Sequence, residues 1–380
     1  MEEEAIELHK KLKGKIGIEQ RIQMKNVKDL SLLYTPGVAH PCRRIAVHPE
    51  EVYDLTMKHN TVAIVSDGSR ILGLGNIGAE AGLPLLEGKA LIMKQFANID
   101  AFPIALRTQD KNKIVEIVKN IEPVFGAINL EDIESPKVFE IEEELEKELP
   151  IAVFHDDQHG TAVVVLAGLL NALQLVGKRF KNIKMGLVGA GGAGYGVANL
   201  LHAAGVKDLV VFDRAGPLGK HRKDLPPYKK RLAGLTNPDG FSRPLSDFKD
   251  ADVIVSLASP GALPHATIEN MAKDKIVFAL ANPIPEISLE EAKKLRVKIF
   301  GTGRSDYPNQ INNAIGFPGI LRAILDYRIP RLTDKIKIAA ARGIAKTLPP
   351  SKLTPEKTVP DVFDKTIVPN ICKEVKKALD

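Results

Sequence analysis

Two pairs of adjacent acidic residues, Glu131-Asp132 and Asp156-Asp157, have the type and placement to do chemistry in this chain of 380 residues. Each pair comes just after a short apolar stretch that predicts a buried strand. Parallel strands end at one edge of a sheet, and open α/β sheets bind ligands at that edge. One such pair is usually only a helix cap or a solvated turn. Two such pairs make a Mg²⁺ or Mn²⁺ site as good an interpretation as a helix cap or a solvated turn, because these ions prefer several oxygen ligands.

A glycine-rich turn, Gly189-Ala190-Gly191-Gly192-Ala193-Gly194, follows a predicted strand over 183–188 and precedes a predicted helix over 195–204. The next predicted strand ends in Asp213, 24 residues after Gly189. Such glycines let the backbone approach a pyrophosphate, the helix start attracts its charge, and the acid bonds the adenosine ribose. This arrangement predicts a dinucleotide-binding domain.

The identity of the dinucleotide stays open between NAD and NADP. Asp213 favours NAD, because a carboxylate repels a 2′-phosphate, whereas Arg214 and the basic residues at 220–223 could accommodate NADP. Later predicted strands end near Ser259 and Asn282, so both could contact the cofactor. Asn282 precedes a proline and is equally explained as a turn former.

A second Gly-x-Gly-x-x-Gly match occurs earlier, at Gly73, Gly75 and Gly78. A dinucleotide fingerprint also needs an acid at the end of the next strand. Here the nearby acid, Asp100, comes before the predicted strand over 101–106. We therefore expect these glycines to permit close packing, or close approach of a substrate, and not to bind a dinucleotide.

Two further side chains could do acid–base chemistry. Lys89 lies in an apolar stretch, where a lysine can lose its proton near neutral pH and act as a general base. Taken alone, Lys89 is better explained as a lysine whose stem packs while its amine reaches water. Tyr34 lies in a Pro-Gly turn that could hold it at the rim of a cleft, although a packed core tyrosine is the better explanation of this residue alone.

The bulk properties exclude several classes of protein. The longest unbroken apolar run, 162–170, is too short to span a membrane. The basic stretches lack interleaved aromatic residues, so the net charge of +6 does not indicate nucleic-acid binding. The acidic start is unlike a signal peptide, and Cys42 and Cys372 lie far apart, so we expect a cytoplasmic protein.

Seven motifs in order resemble the malic enzyme family, and most closely its small prokaryotic members, over nearly the whole chain. The motifs are Tyr34-Thr35-Pro36-Gly37-Val38-Ala39, the stretch from Arg70 to Gly78, Gly88-Lys89, Glu131-Asp132, the stretch from Asp156 to Ala162, Asn282-Pro283 and Asn312-Asn313. The resemblance implies oxidative decarboxylation of malate to pyruvate and carbon dioxide, with NAD or NADP and Mg²⁺ or Mn²⁺.

The resemblance also implies roles for single residues. Tyr34 would be the general acid, Lys89 the general base, and Asp156 a neighbour that tunes the lysine. The remaining roles would be metal ligation by Glu131, Asp132 and Asp157, malate binding by Arg70 and Asn313, and a position between malate and nicotinamide for Asn282.

The fold class expected from these observations is α/β, with a doubly wound Rossmann-type domain at 156–313. An α/β catalytic domain at 1–155 would be joined by the C-terminal helices within 314–380. The resemblance implies a homodimer, in which Tyr34 or Lys89 could act across the subunit interface. Two alternatives stay open: malolactic decarboxylation, which releases lactate, and a nucleotide-binding regulatory protein without turnover.

Overall fold

The computed structural model describes residues 2–72 and 74–380. These residues form two sheets of mainly parallel strands, connected by one long buried helix and covered by further helices. Gly73, the first glycine of the earlier Gly-x-Gly-x-x-Gly match, lies outside the described residues. The predicted α/β fold class, with a Rossmann-type domain, is confirmed.

The N-terminal segment consists of short helices that bury none of their residues. They are α1 (Glu2–Leu12), α2 (Val27–Leu33), α3 (Ala39–Val47) and α4 (Val52–Leu55). The connection between α1 and α2 is held to the rest of the chain by polar contacts. Lys15 Nζ donates to the carbonyl of Pro84 at 2.6 Å, and Arg21 pairs with Asp100 at 2.7 Å. Much of the apolar surface of this segment therefore faces outward.

The first sheet alternates strands with helices. Its elements in chain order are β1 (Thr61–Ser66), α5 (Ala79–Ala97), β2 (Asp100–Ala105), α6 (Lys111–Ile121), β3 (Ala127–Leu130), α7 (Lys137–Glu148) and β4 (Ala152–His155). The strands are parallel in the order β2-β1-β3-β4. Helix α5 packs on one face and α6 and α7 on the other, so β1, β3 and β4 are buried throughout. The chain reverses its direction of winding between β1 and β3, and Glu131 follows β3 at this switch point.

The buried helix α8 (Asp156–Leu175) follows β4 directly. By length and composition alone it could cross a membrane, but 78% of its apolar window is buried in the protein, as in a core helix. The sequence predicts this helix from Thr161, and the structure begins it at Asp156. Acidic side chains in the first turn complement the positive end of the helix dipole, so the acid pair belongs to the helix.

The second sheet follows α8. Its elements are β5 (Lys184–Val188), α9 (Gly192–Ala203), β6 (Asp208–Asp213), β7 (Gly216–Pro217), α10 (Pro227–Leu235), β8 (Val253–Ser256), α11 (His265–Glu269), β9 (Ile276–Ala279), α12 (Leu289–Lys294) and β10 (Ile299–Thr302). The strand order is β10-β9-β8-β5-β6-β7, with only the short β7 antiparallel to its neighbour. The switch point lies between β5 and β8, where a doubly wound sheet binds its ligand.

Three helices complete the chain: α13 (Phe317–Asp326), α14 (Asp334–Thr347) and α15 (Ile367–Leu379). Helix α13 packs on α5, and α14 packs on both α8 and α15. One hydrophobic core includes residues from both sheets, from α8 and from these three helices. The boundaries placed at 155/156 and 313/314 stay a prediction, because this core is continuous across them.

Candidate active site

Three carboxylates converge at the carboxyl edge of the first sheet. Glu131 and Asp132 follow β3, and Asp157 is the second residue of α8. Because β3 and β4 are parallel neighbours, the segments that leave them lie side by side. One carboxylate oxygen of each acid lies within 4.8 Å of the other two. The structure thus brings the three predicted ligands together, while their role in binding a metal stays a prediction.

The charges in this cluster suit a divalent cation. Burial raises the pKa of Glu131 to about 8, with Lys89 opposing the rise and neighbouring carboxylates adding to it. Burial and the charge of Asp157 raise the pKa of Asp132 to about 6. The cluster offers oxygen atoms only, which Mg²⁺ and Mn²⁺ prefer. A bound cation would offset the repulsion that these values reflect, so the residues fit such an ion.

A buried histidine that none of the sequence motifs singled out lies beside Asp157. The imidazole of His155 lies 3.7 Å from Asp157 Oδ2 on one side and 3.7 Å from Glu142 Oε2 on the other. Burial opposes a charge on His155, but the two carboxylates raise its pKa to about 10. Burial also opposes the charge on Asp157, yet His155 lowers the pKa of that acid to about 2. The available signal was a histidine directly before the acid pair.

Lys89 lies in the middle of α5 and is buried beside the acids. Its Nζ donates to Asp156 and lies 2.8 Å from Glu131 Oε1, and it sits 4.3 Å from the ring centroid of Phe317. Burial opposes the charge on Lys89, but the two carboxylates outweigh burial and raise its pKa above the usual value. The expectation of a lowered pKa is therefore wrong for this state, because the setting of the lysine is acidic as well as apolar.

Asp156 connects the lysine to the loop before α13. Its Oδ2 accepts hydrogen bonds from both Lys89 and the side-chain amide of Asn313. Its Oδ1 is buried and has no hydrogen-bond partner among residues 2–72 and 74–380. A Cβ at Gly160 would lie 2.0 Å from Oδ1, so any larger residue there would displace the Asp156 carboxylate. The amide of Asn313, a predicted malate contact, is thus bonded within the protein in this structure.

Three predicted residues do not join the buried cluster. The side chain of Tyr34 is 65% exposed and forms no hydrogen bond to the acids or to Lys89 within the described chain. The Arg70 side chain is also exposed, but its charge lowers the pKa of Asp157, and its backbone N–H donates to the carbonyl of Asp132 at 3.2 Å. Asn282 is exposed at the turn after β9. A single chain therefore presents base and acids together, without the tyrosine.

The glycine-rich turn borders a cleft of about 1000 Å³ at the switch point of the second sheet. Gly189 has a φ of 105°, which favours glycine, and a Cβ at Gly194 would lie 1.9 Å from the carbonyl oxygen of Gly189. The predicted cofactor residues that line the cleft are Gly189, Ala190, Gly191, Asp213 and Ser259. The predicted cofactor residues outside its lining are Gly192, Ala193, Gly194 and Asn282.

Helices α8 and α9 connect the cleft with the acid cluster. A Cβ at Gly196 would lie 2.4 Å from the carbonyl oxygen of Gln158, so the two helices touch near their first turns. Helix α8 begins with Asp156 and Asp157, and α9 begins in the glycine-rich turn. The close contact therefore brings the acids next to the turn that would hold a pyrophosphate.

Comparison with known families gives two matches that together cover most of the chain. The model described as malic enzyme, N-terminal domain, matches residues 13–113. The model described as malic enzyme, NAD binding domain, matches residues 158–379. The three acids of the cluster lie between the two matches, Lys89 lies within the first, and the residues that line the cleft lie within the second.

Relatives of known name extend this result. The chain is 49% identical over 380 residues to a bifunctional malic/malolactic enzyme of Bacillus subtilis, covering 100% of this chain and 93% of that protein. It is 49% identical over 366 residues to an NAD-dependent malic enzyme of Geobacillus stearothermophilus, covering 96% and 76%. A crystal structure of malic enzyme from Pyrococcus horikoshii superposes with a TM-score of 0.95 at 48% identity, covering 100% and 90%. The chain therefore belongs to the malic enzyme family.

Proposed function

We propose that this protein oxidises and decarboxylates malate to pyruvate and carbon dioxide, with reduction of NAD or NADP. One observation carries the proposal: Lys89 contacts Asp156 and Glu131, and Glu131 converges with two further acids, Asp132 and Asp157, beside the glycine-rich turn of a dinucleotide cleft. The cluster supplies a proton acceptor and oxygen ligands, and the cleft supplies room for the hydride acceptor.

The chain's own residues account for the proton transfers. Lys89 takes the proton of the C2 hydroxyl, and Asp156 keeps the Nζ oriented toward the substrate through its hydrogen bond. Tyr34 returns a proton to the carbon from which the carboxylate departs. When bound, a divalent cation would supply electron withdrawal at the reacting oxygen and carbon, and a nicotinamide would supply the hydride acceptor. We propose Glu131, Asp132 and Asp157 as the ligands of that cation.

The raised pKa of Lys89 keeps the amine protonated in this state, so the role requires a change in its surroundings. The lysine is charged as long as Asp156 and Glu131 both face it as anions. If Glu131 bound a cation, its negative charge would be offset. Asp156 alone would then stabilise the protonated form of Lys89. We therefore expect the lysine to become a better base in the loaded site.

We also propose that the protein acts as a homodimer in the cytoplasm. Helices α1 to α4 bury none of their residues, and Ile18, Val27 and Leu32 in this segment are 94%, 77% and 70% exposed. A second copy of the chain would cover this apolar surface. It would also bring the exposed Tyr34 over the partner's lysine, which supplies the acid that a single chain lacks.

The proposed function is tested by incubating the purified full-length chain with malate, Mn²⁺ and either NAD or NADP. We expect NADH or NADPH to accumulate in step with pyruvate, as absorbance at the nicotinamide band and product analysis would show. Lactate without net reduced cofactor would favour the malolactic alternative, an activity that the Bacillus subtilis relative carries in its name. If malate gives no product at all, the protein is not an enzyme of this reaction.

A further inference from the structure

Glu286 is a buried carboxylate to which no step of the proposed reaction assigns a role. It follows the Asn282-Pro283 turn after β9 and is 2% exposed. Its Oε1 accepts a hydrogen bond from the backbone N–H of Ala258 at 2.9 Å, and its Oε2 accepts one from the backbone N–H of Ala281 at 3.1 Å. Ala258 lies in the loop after β8, and Ala281 lies in the loop after β9. One side chain therefore connects two loops at the carboxyl edge of the second sheet.

The loop after β8, residues 257–262, contacts the glycine-rich turn as well as Glu286. The carbonyl oxygen of Glu286 accepts a hydrogen bond from the N–H of Gly261 at 3.2 Å, which holds this loop at a second point. A Cβ at Gly189 would lie 2.7 Å from the carbonyl oxygen of Leu257, so the loop packs directly on the turn. A displacement of the loop would therefore change the space beside the turn that would hold a pyrophosphate.

The loops after β8 and β9 lie on the side of the switch point away from Asp213. A doubly wound sheet binds one half of a dinucleotide on each side of that point. Strand β6, which ends in Asp213, lies on one side of β5, and β8 and β9 lie on the other. Because Asp213 is the predicted contact of the adenosine ribose, these two loops are left for the nicotinamide half. Ala258 and Ser259 line the cleft here, and Asn282 follows Ala281 directly.

We propose that Glu286 is a positioning residue of the cofactor site, which holds the loops after β8 and β9 at the separation that the nicotinamide half of the dinucleotide requires. A carboxylate suits this task, because both of its oxygens accept hydrogen bonds and both of its partners are donors. Its burial removes the competition of water for these hydrogen bonds. The inference rests on the proposed function, because it concerns the cofactor cleft of the same reaction.

Glu286→Gln tests the inference with almost no change in side-chain volume. An amide presents one oxygen and one NH₂ group, so one of the two backbone donors must face another donor. The full-length variant and the wild type are titrated with NADH and with NADPH, followed by nicotinamide fluorescence, without malate or metal. We expect the dinucleotide that the wild type binds more tightly to bind the variant about tenfold more weakly, because a buried donor is left unpaired.

AMP measures the adenosine half of the cleft alone, through its displacement of the bound dinucleotide. We expect the affinity of Glu286→Gln for AMP to stay within about twofold of the wild-type value, because Glu286 contacts only the loops on the other side of the switch point. Glu290→Gln is the matched control, since it removes a carboxylate from an exposed position of α12, and it should leave both affinities unchanged. Equal losses of dinucleotide and AMP binding in Glu286→Gln would show a general loss of structure and would overturn the inference.

Hydrogen exchange in the wild type gives a measurement that does not depend on the folding of the variant. We expect the amide hydrogens of Ala258 and Ala281 to exchange about as slowly as those of β8 and β9, although both lie in loops, because a buried carboxylate binds them. Rapid exchange of either amide would overturn the inference. Unchanged dinucleotide binding in Glu286→Gln would overturn it and leave the proposed function intact, whereas a wild type that binds neither dinucleotide would overturn both.

Discussion

At the residue scale, Glu131 connects the candidate base with the candidate metal site. It faces Lys89 on one side and the carboxylates of Asp132 and Asp157 on the other. Its pKa of about 8 reflects burial and these like charges, which Lys89 only partly offsets. A cation among the three acids would stabilise the ionised form of Glu131 and weaken its hold on the lysine proton. Metal binding and the basicity of Lys89 should therefore be coupled through this one side chain.

The first residue-scale prediction concerns Asp157, which supplies one of three candidate ligands. We expect Asp157→Ala to weaken Mn²⁺ binding by at least roughly tenfold, because even groups that only support a metal ligand commonly contribute that much. Free hydrated Mn²⁺ can be counted by electron paramagnetic resonance during a titration without malate or cofactor. This readout does not depend on turnover.

A matched variant separates ligand loss from a general loss of negative charge. Glu134→Ala removes an acid two residues after Asp132, where the side chain is 54% exposed and lies 3.5 Å from Lys137. Mn²⁺ should bind to that variant as to the wild type. If Asp157→Ala also retains wild-type Mn²⁺ affinity, the ion binds elsewhere and the assignment of all three ligands fails.

At the element scale, the turns and strand ends were predictable because their signals are local. The glycine-rich turn occurs between β5 and α9 as its spacing predicts, since backbone geometry at Gly189 and Gly194 demands glycine. The start of α8 was misplaced at Thr161, because polar residues in the first turn of a helix interrupt the apolar pattern used to find it.

Properties that depend on distant neighbours could not be predicted in the same way. The pKa of Lys89 follows from carboxylates that reach it from the ends of β3 and β4, and the apolar residues around it in sequence suggested the opposite direction. The buried pairing of His155 with Glu142 likewise joins β4 to α7. Only the packing of the sheet with its helices brings these groups together.

The element-scale prediction concerns the first turns of α8. In Gly160→Ala the new Cβ would lie 2.0 Å from Asp156 Oδ1 and 3.2 Å from Asn313 Cβ, so Asp156 must move away from Lys89. The gain in helix propensity is about 1 kcal/mol and overpacking costs about 1–3 kcal/mol, so we expect a net destabilisation of about 0–2 kcal/mol. Malate oxidation should fall at least roughly tenfold, because a base displaced by an ångström loses much of its effect.

The same change at an open helical position provides the control. A Cβ at Gly234 in α10 would have no neighbour within 4 Å, so Gly234→Ala should keep both activity and melting temperature near those of the wild type. Urea unfolding followed by circular dichroism checks stability, and reduced-cofactor absorbance checks turnover. Full activity in Gly160→Ala would mean that the Asp156–Lys89 contact does not matter for the reaction.

At the scale of the whole molecule, the N-terminal and C-terminal helices differ in how much of their surface is buried. The C-terminal helices share one core with both sheets, whereas α1 to α4 bury none of their residues, and Tyr34, between α2 and α3, is 65% exposed. This uncovered apolar surface is the reason that we propose a second copy of the chain as its partner. A second copy in a two-fold arrangement would use the same segment twice and complete two sites at once.

Mixing two inactive variants tests this arrangement. We expect Lys89→Ala and Tyr34→Phe each to abolish oxidative decarboxylation when assayed alone. If the tyrosine acts on the partner's lysine, a hybrid dimer has one site with both residues intact and one with neither. Mixing equal amounts after reversible dissociation makes about half of the dimers hybrid, so about a quarter of wild-type activity should return. If both residues come from one chain, every site in the mixture lacks one of them and no activity returns. A silent mixture whose hybrid dimers are verified by differential tagging would therefore place Tyr34 over the lysine of its own chain.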